Sequence, residues 1–474
     1  MRICVILEGC YPYVTGGVST WMHQYIKAMP EHEFVLWTIG ASSRDRGKFK
    51  YELPDNVTEV HEIFLQDALN LPPGKKKYRL KQEELQALRD FVHCSRPDWE
   101  VLFHMYNDKG MSPMSFLMSK EFLDILSDIC EDDYPYTAFS DMFHTLRSMF
   151  LPVLYTICQE VPRADLYHAI ATGYSGILAR LGSYKYHVPF MLTEHGIYTR
   201  EREEEIIRAQ WVPAAFKRFW VRFFYMLSAA VYDRADMITS LFGNARKIQI
   251  DIGCAPERCR VIPNGIHYKR FCDIPLKEED GWTDIGAVVR LAPIKDIKTL
   301  IYSFYELKFR LEKVRLHIIG PEDDKQYAQE CYELVRQLGV KDVLFPGMVN
   351  VLEYMKKLDF TVLTSISEGQ PLSVLESFAA GRPCVTTDVG CCRELLNGME
   401  GDELGCAGFC VPPMDREALC SAMERMCLRV EERYRMGQIG KKRVEQFYRH
   451  EDMIQNYKQV YSEVMEKWQG SDSV

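Results

Sequence analysis

The chain has 474 residues, too many for one ordinary domain, so two domains are the first expectation. Its 47% apolar and 26% charged residues describe a globular chain, and a net charge of −9 argues against nucleic acid as the main partner. Sixteen cysteines without an export signal point to free thiols in a reducing cytoplasm, and no uncharged apolar run approaches the roughly 18 residues of a membrane span.

Residues 2–7 are an apolar run ending at Glu8-Gly9; Gly16-Gly17 follows, then helical spacing over 19–29 and a second apolar run over 33–39. Strand, glycine loop, helix and strand in that order predict the opening of a doubly wound α/β domain. Paired glycines before a helix let N–H groups approach a phosphate, although such turns also serve simple packing. Pro72-Pro73-Gly74 and Lys75-Lys76-Lys77 read as a linker. Helical periods over 81–93, 113–130 and 141–159 then predict a mostly helical insertion over about 66–160.

Strand and helix alternation resumes at 166–170. A strand over 190–194 runs into Thr193-Glu194-His195, at the kind of strand end where α/β folds bind ligands. His195 is there either as a catalytic group or as a structural histidine. The stretch 216–230 mixes Lys217, Arg218 and Arg222 with aromatic residues, which fits a core helix with a solvated basic edge or an interfacial membrane helix. The polar stretch 273–284 marks the domain boundary. A second α/β unit follows, with strands over 285–290, 316–319, 343–345, 360–364 and 383–386. Helices over 415–426, 430–444 and 450–468 close the chain.

Two constellations in this second unit carry chemistry. The strand over 360–364 enters a loop with Glu368 and Gly369, and a helix is expected to start at Pro371, with Glu376 close to its beginning. A helix start favours phosphate, so carboxylates on either side suit a ligand with hydroxyls at both ends and phosphate in the middle. Two glutamates at this spacing also occur as plain surface charge. Arg290 ends a strand and Lys295 follows five residues on; Arg can fork phosphate oxygens and Lys adds a compact charge, or both are solvated. Asp323-Asp324 and Asp132-Asp133 read as solvated pairs. Cys391, Cys392, Cys406 and Cys410 read as buried thiols and not as a zinc site.

Together, Arg290-x4-Lys295, Glu368-x7-Glu376, Pro263-Asn264-Gly265 and Gly16-Gly17-Val18 resemble glycosyltransferase family 4. The stretches 7–21, 193–202 and 293–299 are similar to its PelF-type exopolysaccharide enzymes, over nearly the whole chain. The resemblance implies a GT-B fold, two Rossmann-like doubly wound α/β domains facing a central cleft. Residues 1–275, completed by a C-terminal helix over 450–474, would hold the acceptor, and 276–449 the donor. It implies a retaining hexosyltransferase moving sugar from a UDP-sugar, UDP-glucose first, to a growing exopolysaccharide or glycan. Arg290 and Lys295 would hold the diphosphate, Glu376 the ribose, and Glu368 the sugar hydroxyls. The helix start at Leu372-Ser373-Val374, Gly369, Asn264 and Gly16-Gly17 would add donor contacts. The base would rest near Gly347-Met348, and His195 would lie near the anomeric carbon. No cofactor and no metal are expected, since the cations stabilise the leaving group. Inner-membrane polysaccharide synthase subunits are the implied partners, at a cytoplasmic or peripheral location. The sequence departs from the pattern at His267, where Asp is common, at Val289 and at Cys391. Other readings are a silent scaffold subunit of a polysaccharide synthase and a UDP-sugar 2-epimerase of the same fold.

Overall fold

A computed structural model describes residues 1–72 and 78–471; the linker read at 72–77 therefore lies, apart from Pro72, outside the described residues. Two compact units partition the chain. Unit 1 comprises residues 1–240, 246–260 and the C-terminal helix from Lys458 onward; unit 2 comprises 241–245 and 261–457.

Unit 1 is built on a seven-stranded sheet ordered β3-β2-β1-β4-β5-β6-β7. Its strands are β1 (Arg2–Glu8), β2 (Glu33–Gly40), β3 (Val57–Phe64), β4 (Leu166–Ala169), β5 (Phe190–Glu194), β6 (Met237–Ser240) and β7 (Cys259–Val261). The registered pairs from β3 through β6 are all parallel. β1 is buried from Ile3 to Leu7, as a strand covered on both faces must be. Between β3 and β4 the described chain is helical, including Gln82–Val92, Lys120–Asp132 and Phe139–Ile157. These helices bury Leu88, Phe91, Leu126 and Phe150 against the sheet's own core. The helix Ala214–Arg234 buries Phe216, Phe219, Phe223 and Phe224, so the aromatic stretch is a core helix. No helix among the described residues is long and apolar enough to cross a membrane.

Unit 2 is built on a six-stranded parallel sheet, β10-β9-β8-β11-β12-β13. Its strands are β8 (Thr283–Val288), β9 (Val314–Ile319), β10 (Val343–Gly347), β11 (Phe360–Leu363), β12 (Cys384–Thr387) and β13 (Gly408–Val411). Each sheet reverses its winding once, between β1 and β4 in unit 1 and between β8 and β11 in unit 2. That reversal opens a crevice at the carboxyl ends of the flanking strands, the usual ligand position in open α/β sheets.

The division differs in detail from a break at 275. Residues 261–275 belong with unit 2 because Asn264 exchanges two hydrogen bonds with Gln370 and Ile266 bridges to Arg449. The first turns of the helix His450–Ser471 also cluster with unit 2, and only its later part with unit 1. There the Tyr461 hydroxyl accepts from the Tyr25 hydroxyl and shares a hydrogen bond with His168 Nδ1, at 2.7 Å each.

Candidate functional site

In unit 2 the loops after β8 and β11 are tied together by hydrogen bonds. Ile366 N–H donates to the Ile294 carbonyl at 2.9 Å, and Thr364 Oγ1 donates to the Lys295 carbonyl at 2.9 Å. Lys295 Nζ and Glu368 form an ion pair that is mostly buried, and Ser365 Oγ donates to the same Glu368 oxygen at 2.5 Å. An ammonium has three donors, so the pair leaves Lys295 with capacity for another anion. The turn beneath is fixed by Gly390 at φ +55°: a Cβ there would strike the carbonyls of Glu368 and Gly369. Cys391 is buried and its N–H donates to the Gly369 carbonyl at 3.0 Å, a packing role.

Arg290 lies two residues beyond β8, half-exposed, and pairs with Asp323. Asp323 and Asp324 are therefore not simply solvated. Asp323 holds Arg290, and Asp324 accepts the Tyr327 N–H at 3.0 Å as the cap of the helix Lys325–Leu338. The helix Leu372–Ala379, after β11, starts one residue later than expected, with Pro371 as its cap residue. No side chain caps it, so its first N–H groups, at Leu372, Ser373 and Val374, are open to water or a ligand apart from the Val374 bond to Pro371. Glu376 sits in this helix half-buried. Burial pushes its carboxyl up to about 7, against the opposing pull of the Arg270 guanidinium. Asn264 is buried, its backbone gripped by Gln370 and its Oδ1 without a partner. Gly347, at φ +70°, ends β10 and accepts the Gly320 N–H at 3.1 Å, and Met348, 82% exposed, follows it. His267 packs against His450 with ring centroids 4.3 Å apart and the rings tilted by 46°.

In unit 1 the strand ends carry buried polar groups. Thr193 and Glu194, read as part of a polar ligand cluster, are turned into the core. Thr193 bonds His168 and Thr239, and Glu194 accepts from Thr172, Tyr232 and Gln249. His195 differs from both. Its ring meets Trp21 edge-on at 4.5 Å, its Nε2 is buried without a partner, and burial lowers it to about 4, leaving a neutral imidazole. Glu8, not singled out from the sequence, ends β1 at the switch point. It accepts from the N–H groups of Tyr174 and Ser175, leaves Oε2 unpartnered, and is raised by burial to about 7 despite the nearby Arg202. Gly16 and Gly17 open the helix Gly17–Lys27, and a Cβ on either would meet nothing within 4 Å. Packing therefore does not require them.

The four cysteines 391, 392, 406 and 410 do not converge; among the described residues no group of three or more His, Cys, Asp or Glu side chains is placed to hold a metal ion. Asp323 was read as solvated, and Gln370 and Glu8 were given no role of their own. Each lay beside a motif, but only the fold shows which neighbour it grips.

Two doubly wound parallel sheets, each with one switch point, make this a two-domain α/β protein of the GT-B fold. Solved structures agree. The Anabaena protein Alr3699/HepE in complex with UDP aligns at TM-score 0.61 and 14% identity, covering 98% of this chain and 100% of that one. Sucrose-phosphate synthase from Thermosynechococcus elongatus aligns at 0.60 and 15% identity over 98% and 100%. A family model described as "Domain of unknown function (DUF3492)" matches residues 1–257, more than half of the chain, and the chain belongs to that family. Residues 283–428, which hold Arg290, Lys295, Glu368 and Glu376, match the model described as "Glycosyl transferases group 1". Among named relatives, the MMP alpha-(1->4)-mannosyltransferase of Mycolicibacterium hassiacum is 23% identical over 58% of this chain and 66% of that protein. The alpha-monoglucosyldiacylglycerol synthase of Streptococcus pneumoniae is 31% identical over 27% of this chain and 32% of that protein. The chain thus spans between about a third and two thirds of the length of these relatives.

Proposed function

We propose that this chain is a retaining, metal-independent glycosyltransferase that moves a sugar, glucose first, from a UDP-sugar to a growing glycan of the PelF-type exopolysaccharide kind. The observation that carries the reading is the Lys295–Glu368 pair at the unit 2 switch point, within the segment similar to group 1 glycosyltransferases. Relatives named as glycosyltransferases and a UDP-bound structure of the same fold support it.

Arg290 and Lys295 would take the diphosphate, exchanging their carboxylate partners for phosphate oxygens. The uncapped start at Leu372 and Ser373 would donate further hydrogen bonds. As the sugar–phosphate bond breaks, charge grows on the departing UDP, and fixed cations stabilise it most at that moment. Glu376 would accept from the ribose hydroxyls, and Glu368, released from Lys295, from the hydroxyls of the sugar. Gly347 and Met348 would lie against the base. In unit 1, the neutral His195 would bond a sugar hydroxyl through its unpartnered Nε2. A cytoplasmic or peripheral position beside membrane synthase subunits belongs to the same proposal.

The test is release of UDP from UDP-glucose with glycan acceptors, followed by NMR of the product anomer. A product with the donor's anomeric configuration, formed equally with a chelator present, is expected. Inverted product, or activity lost to chelator and restored by Mg²⁺, overturns the reading.

A further inference from the structure

The helical segment of unit 1 holds a groove that neither strand-end site uses. Its volume is about 540 Å³, within the range of small-ligand sites. One wall is a single face of the helix Phe139–Ile157. Asp141, His144, Thr145 and Ser148 recur there at i, i+3, i+4 and i+7, while Met142, Leu146 and Met149 of the same helix point into the core. The other wall is apolar, formed where the helix Ala214–Arg234 begins. Phe216 and Trp220 line it, and Trp211 packs edge-on against Trp220 with centroids 5.6 Å apart. Trp211 nevertheless remains 66% exposed, and Tyr136 is fully exposed at the groove.

A polar row facing indole rings matches one ligand chemistry closely. A pyranose of glucose configuration presents a flat C–H face and a rim of equatorial hydroxyls. Aromatic rings cover the face, while carboxylate, imidazole and hydroxyl groups bond the rim. Charge narrows the choice. Among the described residues no Lys or Arg lines the groove and Asp141 does, which disfavours anionic polymers and phospholipid headgroups.

We propose that this groove binds a chain of neutral, equatorially hydroxylated pyranoses, as a glycan site apart from the strand-end residues. The inference rests on the two walls and stands independently of the donor site. The test titrates the full chain by calorimetry with β-1,4-linked hexasaccharides of glucose and of N-acetylglucosamine, and with hexagalacturonate as the anionic control. At least one neutral hexasaccharide binds; Trp211→Ala weakens it about five- to a hundredfold, on the scale of aromatic stacking. Trp211→Phe restores most of the loss, Asp141→Ala weakens binding less, and UDP-glucose affinity stays unchanged in all three. Failure of both neutral probes up to millimolar concentration overturns the proposal. So does equal binding by Trp211→Ala and Tyr136→Ala, or tighter binding of hexagalacturonate. Phosphatidylglycerol vesicles captured through Trp211, with no sugar bound, would assign the groove to a lipid surface instead.

Discussion

At the strand ends of unit 1, burial works against charge: His195 is lowered to about 4 and Glu8 raised to about 7, while His168 bonds Thr193 and Glu194 accepts from Thr172, Tyr232 and Gln249 inside the core. At the strand ends of unit 2, charge is kept and stored in pairs, Lys295 with Glu368 and Arg290 with Asp323. The first arrangement suits a ligand of hydroxyls, whose partners must donate and accept without a strong field. The second suits a diphosphate, because an ion pair holds a cation in place until a better anion arrives. One fold used twice thus carries two different sets of side chains on its loops.

The comparison is broken most sharply by removing the buried cation. Lys295→Ala leaves Glu368 without its partner and the diphosphate without a charge. Turnover should fall at least about a hundredfold and UDP-glucose affinity about tenfold, read by UDP release and calorimetry. Arg290→Ala, at a half-exposed pair, should cost less in affinity. Unchanged turnover in both variants would sink the role given to the cations. His195→Ala should lower turnover by about tenfold to a hundredfold while leaving UDP affinity as in the wild type; an equal loss in both would place His195 with the nucleotide.

These residues were unevenly legible in the sequence. Lys295, Glu368 and Glu376 sit at fixed spacing beside apolar strands, so the pattern marked them. The α/β rhythm was readable for the same reason, because buried parallel strands are nearly continuous apolar runs. The strand Val57–Phe64 was missed because the polar pairs Thr58-Glu59 and His61-Glu62 interrupt its apolar residues, as befits a half-exposed edge strand. Glu8 was missed because its value lies in the N–H groups of Tyr174 and Ser175, more than 160 residues away in the chain. Glu194 was misplaced because nothing local announces the Thr172, Tyr232 and Gln249 shell that draws it inward. Contacts set by the fold leave no local spacing to read.

Smaller effects come from proton linkage. Glu376 is raised to about 7, so its ionised form gains population as pH rises through neutrality. UDP-glucose affinity should therefore strengthen from pH 6 to pH 8, and Glu376→Gln should flatten that rise. For stability the sign is opposite. A carboxyl raised in the folded state binds more protons there than in the unfolded chain between about 4.5 and 7. Each of Glu8 and Glu376 makes the protein lose stability across that window as pH rises. Tm measured from pH 5 to pH 7.5 should fall less in Glu8→Gln than in the wild type, and an unchanged slope would remove Glu8 from the account.

The central claim is that the paired charges of unit 2 form the nucleotide-sugar site. Calorimetric titration of UDP-glucose, against ADP-glucose and GDP-mannose, into the wild type and Lys295→Ala tests it directly. Saturable binding of UDP-glucose that is strongest of the three and about tenfold weaker in the variant is the predicted result. Absence of binding by any nucleotide sugar, or equal affinity in both proteins, would contradict it.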